Sequence, residues 1–144
     1  MSVLREEEFE TFLKRRASTV NGLLVHGADS AAVSMLARRV ISGFGDISQI
    51  DVAEAKSAPG GFMDQMLSLS LLGDRQLLFV DGADEASLKF LEPAFSQSAL
   101  SNFVLIAADN LNKSSKLRAA AEAANLVACL AIYEEDAAAV RERV

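Results

Sequence analysis

Five short apolar runs separated by segments of helical length constrain this chain more than any other feature. The runs are Val20–Gly27, Ile47–Val52, Leu77–Val80, Phe103–Ala108 and Leu126–Ile132. Apart from Ile47–Val52, where Ile47, Ile50 and Val52 are separated by polar residues, the runs place apolar residues at successive positions, as strands covered on both faces do. Between them, Ala32–Ile41, Phe62–Leu72, Glu85–Phe95 and Asn112–Ala124 are helical in pattern, most clearly the first, where Val33, Leu36, Ala37, Val40 and Ile41 share one face. Strands and helices in alternation give an α/β fold, a five-stranded parallel sheet with helices on both faces. An amphipathic helix over 3–16, carrying Phe9, Phe12 and Leu13, is expected to cover an edge. A further helix opens at Glu134.

A chain of 144 residues with 51% hydrophobic and 24% charged residues fits one globular domain with a substantial core. The net charge of −6 and pI near 4.8 repel phosphate backbones, so the chain is a poor candidate for the main contact with nucleic acid. A single cysteine, Cys129, excludes an internal disulfide and reads as core. No apolar run reaches the roughly 18 residues needed to span a bilayer. Leu4-Arg5-Glu6-Glu7-Glu8 is too charged for a signal peptide, so a cytoplasmic location is expected.

The first strand–helix junction is where folds of this class bind phosphate, because amides at a helix N-terminus favour anions. A phosphate loop needs G-x-x-x-x-G-K-[ST]. Gly27 matches the first glycine, but Ala32 and Val33 replace the second glycine and the lysine, Ser34 alone survives, and Asp29 adds a negative charge. A degenerate or structural turn is expected. His26, the only histidine, has no other histidine or cysteine near it in sequence and reads as packed or turn-capping. Asp81, at the end of the third run, suits a magnesium ligand or a phosphoacceptor, or equally an acid that begins a turn. Asp109-Asn110 occupies a polar-sensor position or a turn. Lys113, Lys116 and Arg118 form a basic cluster that fits an acidic partner or DNA, or are simply solvated. No nucleophile–base pair, metal cluster or dinucleotide fingerprint stands out, so neither catalysis, a metal nor a cofactor is expected.

Met66–Leu72 is apolar nearly all round, with two serines for relief, and stops at Gly73-Asp74 before the third strand. A helix resting on a sheet needs one apolar face. The surplus at Leu71 and Leu72 is expected either to tuck under the sheet or to stand exposed for a partner, with Met66, Leu69 and Leu77–Val80 anchoring the element.

Three passages carry a resemblance: Leu23-Leu24-Val25-His26-Gly27-Ala28-Asp29, Leu71-Leu72-Gly73-Asp74-Arg75-Gln76-Leu77-Leu78-Phe79-Val80, and Phe103–Leu117 with its Asn110-Leu111-Asn112-Lys113-Ser114-Ser115-Lys116 step. In order and spacing they resemble the delta subunit of the bacterial DNA polymerase III clamp loader, over nearly the whole chain. The resemblance implies an AAA+, P-loop NTPase-like core whose phosphate loop (Gly27, Asp29, Ser34) is degenerate. It implies a clamp-binding domain over 1–133, and 134–144 as the start of a helical lid. It further implies binding to the sliding clamp, opening of that ring for loading onto primed DNA, and association with the ATPase and delta-prime-type loader subunits, with DNA met indirectly through the complex. The clamp contact would be the hydrophobic tip Leu71 and Leu72, preceded by Ser70 and followed by Gly73 and Asp74. Members often carry phenylalanine at position 72, and clamp-binding peptides often start with glutamine where this chain has Ser68. The alternatives are a small nucleotide-binding or phosphoacceptor domain using Asp81, and a delta-prime-like structural subunit.

Overall fold

The structure, a computed structural model, describes residues 3–4, 9–12, 20–68, 75–96, 100–109 and 111–132, with the backbone alone at 3, 4 and 10. In chain order the elements are β1 (Val3–Leu4), α1 (Phe9–Thr11), β2 (Gly22–Gly27), α2 (Ser30–Ile41), β3 (Ile47–Gln49), α3 (Val52–Ser57), α4 (Pro59–Leu67), β4 (Leu77–Ala83), a 3-10 turn at Glu85–Ser87, α5 (Leu88–Ser96), β5 (Phe103–Ala108), α6 (Lys116–Ala123) and β6 (Val127–Ile132). They build an α/β fold around one sheet in the order β1-β6-β2-β5-β4-β3, with every pairing parallel.

All five expected strands are present, and their burial follows their place in the sheet. Every residue of the interior strands β2 and β5 is buried, as the continuous apolar runs require, whereas the edge strand β3 is largely exposed. Side chains alternate between two cores. Leu23 and Val25 face α1 and α2, packing with Phe9, Phe12, Leu36 and Val40. Leu24 faces the opposite side with Phe62 and Met66 of α4, Phe90 and Leu91 of α5, and Leu117 of α6.

Several boundaries differ from the sequence reading. Val3 and Leu4 do not open a helix over 3–16; they pair with Cys129 and Leu130 as a sixth strand. The second run stops at Gln49, because the Asp51 carboxylate caps α3 by accepting from Glu54 N at 3.2 Å. The helix expected over Asn112–Ala124 begins at Lys116, where Ser115 caps it. The third strand runs past Asp81 to Ala83 through a register shift. Gly82, at φ 78°, supplies the left-handed residue that this bulge needs.

The largest difference is at α4, which ends at Leu67 rather than Leu72. Its last carbonyls are taken from outside the helix. Asn102 Nδ2 donates to Gln65 O at 2.7 Å and to Ser68 O at 2.9 Å, Asn102 N to Met66 O at 3.1 Å, and Ser101 Oγ to Leu67 O at 3.1 Å. Carbonyls satisfied this way no longer need another helical turn, and Ser68 is already extended.

Candidate functional site

Two ends of the sheet hold the candidate residues. At the carboxyl end, β2 finishes at Gly27 and α2 starts at Ser30. Asp29 is the cap: its Oδ1 accepts from Ala32 N at 3.1 Å, placing a carboxylate where a phosphate loop leaves amides open. Ser34 is exposed on the outer face of α2, away from the Gly27–Asp29 turn. Gly27 has a packing reason of its own, since a Cβ there would lie 2.6 Å from Ile132 O.

The acids after β4 are mostly committed to structure. Asp84 forms a capping box with Ser87 and an ion pair with Lys56 at 2.9 Å; the Lys56 hydrogen bond is the main reason its carboxyl is held below the usual range. Glu85 bridges to α6, accepting from Ser115 Oγ, from Lys116 N at 2.7 Å and from Leu117 N at 3.2 Å. The Ser115 hydroxyl does most to lower its pKa. Asp81 is exposed at the bulge. Among the described residues no group of three or more His, Cys, Asp or Glu is placed to hold a metal ion.

The basic cluster is divided. Lys113 and Lys116 are exposed, while Arg118 turns in to pair with Glu122 at 3.1 Å and to donate to Leu111 O at 3.0 Å. Asp109 is exposed, and Asn110 lies outside the described residues. Cys129 is core as expected; burial pushes its thiol up to about 12.

His26 is packed beneath α6 with 2% exposure, and among the described residues neither ring nitrogen has a hydrogen-bond partner. Burial, then the Arg118 guanidinium, lowers its pKa from 6.5 to about 4, against a smaller opposing pull from Glu122. The folded state therefore keeps His26 neutral. As pH falls through 6.5 the unfolded chain takes up the proton first, and stability drops until the folded pKa is reached. We expect roughly 2 kcal/mol of this loss by pH 5. His26→Phe leaves no nitrogen to protonate, so its urea midpoint should vary less between pH 7 and 5 than that of the wild type. Parallel curves for the two proteins would contradict the buried neutral imidazole.

At the amino end of the sheet, Ser68 at the end of α4 and Gln76 before β4 meet on one side chain. Asn102, 2% exposed, holds Ser68 O with its Nδ2 while its Oδ1 accepts from Gln76 N at 3.0 Å. Arg75 adds a second tie, donating to Val20 O at 2.8 Å with its guanidinium 5.7 Å from the centre of the Phe103 ring. Met66, Leu77, Leu78 and Val80 are fully buried, as expected of anchors; Phe79 is half-buried. Leu67, beside the stem, is 42% exposed; it and Ile47 are the exposed large hydrophobic residues among those described. Residues 69–74, hence Leu69 and the tip Ser70, Leu71, Leu72, Gly73 and Asp74, lie outside the described residues.

Sequence reasoning missed Asn102. An asparagine directly before a buried strand was its only signal, and its partners are 26 to 37 residues away. No helix among the described residues is long and apolar enough to cross a membrane. The chain matches no known family model, and no curated protein matches it either.

Proposed function

We propose that this chain is the AAA+-like first domain of a clamp-loader delta subunit. In this reading it binds the sliding clamp through Leu71 and Leu72, helps to open the ring, and hydrolyses no ATP itself. The observation that carries the reading is the pinning of Ser68 and Gln76 by Asn102. A short apolar segment whose ends are both fixed to a sheet loses less freedom on binding than a free chain. The base is a stiff one, β4 and β5 lying side by side in the middle of a parallel sheet, as suits an element that pushes on a partner. The exposed Leu67 extends the apolar character to the stem itself. The Asp29 carboxylate at the α2 N-terminus fits a core that has given up phosphate binding. The acidic surface suits a protein partner, with DNA held by other subunits.

Two leucines entering an apolar pocket contribute about 1.5–3 kcal/mol each when fully buried. Leu71→Ala with Leu72→Ala should therefore weaken binding to the same organism's sliding clamp by at least about a hundredfold, with an unchanged urea midpoint. Surface plasmon resonance on immobilised clamp measures this. Equal affinity for the double variant would sink the assignment of the tip, and ATP hydrolysis by the purified chain would sink the non-catalytic reading.

A further inference from the structure

The carboxyl end of the sheet holds a group that the proposed function leaves unused. His26 is 2% exposed on β2, and among the described residues neither ring nitrogen has a hydrogen-bond partner. A buried polar side chain left unsatisfied costs stability, so its place asks for a reason. Its register neighbours, Ala108 on β5 and Ala131 on β6, are small and uncharged. Among the described residues, the titratable groups that face it are on α6 and β6. α6 contributes Arg118 and Glu122, paired at 3.1 Å and both partly buried. β6 contributes the Cys129 thiol, which is registered with Leu24 on the same face of the sheet and feels the same two charges.

α6 is a light cover. Along its 8 residues it buries Leu117 and Ala121, whereas α2 buries five side chains. A helix of that length has little stability away from the sheet. Its first turn is tied down separately. Glu85 accepts from Lys116 N, Leu117 N and the Ser115 hydroxyl, and these bonds hold its carboxyl below the usual range, so the tie persists in weak acid. A protonated His26 would carry two N–H donors with no acceptor in place, and a positive charge close to the Arg118 guanidinium. Removing the cover relieves both, because water then solvates the imidazolium. That requires α6 alone to move, while the parallel pairing of β2 with β5 and β6 is kept.

We propose that His26, Arg118 and Glu122 form an acid-operated latch: proton uptake by His26 swings α6 away from β2 and β6 about its Glu85-capped start, while the sheet stays folded. The opening uncovers the part of the core that Leu24, Val127 and Cys129 share with Leu117 and Ala121.

Cys129 is the only cysteine in the chain and lies under the same helix, so its thiol reports the opening. The 144-residue chain is treated with dithiodipyridine, which reacts with thiols in acid as well as at neutral pH, and each rate is divided by that of glutathione at the same pH. The pKa of His26, about 4 under α6 and 6.5 when uncovered, sets the expected result: the corrected rate rises about twentyfold from pH 7 to pH 5. In His26→Gln and His26→Phe, of which a thermal melt identifies the folded ones, it should change by less than about threefold. The wild-type rate should also depend far less steeply on urea than global unfolding does, because only one helix leaves the sheet. No rise in the wild type, the same rise in a folded variant, or a urea slope equal to that of global unfolding would overturn the latch.

Discussion

Asn102→Ala should lower the stability of the domain by about 3 kcal/mol, one of the two largest losses we expect from a single substitution. The side chain is 2% exposed and makes three hydrogen bonds, to Gln65 O, Ser68 O and Gln76 N. Each is worth about 0.5–1.5 kcal/mol net, so three lost together account for an effect of this size. Alanine also leaves a cavity the size of an amide between α4 and β4. Asn102→Asp distinguishes hydrogen bonding from packing. It keeps the shape and the acceptor for Gln76 N but turns a carboxylate oxygen toward two carbonyls, so it should be at least as damaging. Urea denaturation of the three proteins measures the effect, and a midpoint for Asn102→Ala equal to the wild type would show that the two ends of the 69–74 segment are held by something else. On the proposed function, Asn102→Ala should also weaken clamp binding under conditions where the domain remains folded, because the segment then binds from a less restricted state.

The same residue shows where sequence reasoning stopped. The strands β2, β4, β5 and β6 were legible because burial on both faces leaves a contiguous apolar run, a local signature. The end of α4 was not, because it is decided by donors on Ser101 and Asn102, 34 residues from the carbonyls of Leu67 and Ser68. Val3–Leu4 was misread for the same reason: two residues carry no periodicity, and only their pairing with Cys129 and Leu130 makes them a strand. Asn21 is a parallel case. It precedes β2 as Asn102 precedes β5, and joins Ala94 O at 3.2 Å to Leu100 N at 2.9 Å across the start of the sheet. The candidate site divides along the same line. Asp29 was legible as a charge in the first turn. The capping roles of Asp84 and Glu85 needed the fold to bring Lys56, Ser115 and α6 alongside.

Gly27 is the position where two readings of one residue make opposite predictions. As the remnant of a phosphate loop that has lost its other elements, it should tolerate alanine, because nothing depends on the loop. As a packing residue it should not. Its Cβ would sit 2.6 Å from Ile132 O and 3.1 Å from Ile132 Cβ, and Gly27 is paired with Ile132 in the β2–β6 register. The clash is with backbone in a sheet, which cannot swing aside as a long side chain can. The φ of Gly27 is not positive, so backbone strain is not the cause and the whole penalty is steric. Replacing glycine with alanine where the fold accepts it stabilises by about 0.4–1 kcal/mol, by restricting the unfolded chain. Gly60→Ala, in open space at the start of α4, should show that gain. Gly27→Ala should instead destabilise by about 2 kcal/mol and Gly27→Val by about 3, as β6 is forced away from β2 and the buried pairing around His26 and Ala131 loosens. Chemical denaturation of the three variants decides between the readings: a Gly27→Ala midpoint at or above the wild type would restore the loop-remnant view, whereas a loss opposite in sign to Gly60→Ala assigns Gly27 to the closure of the sheet.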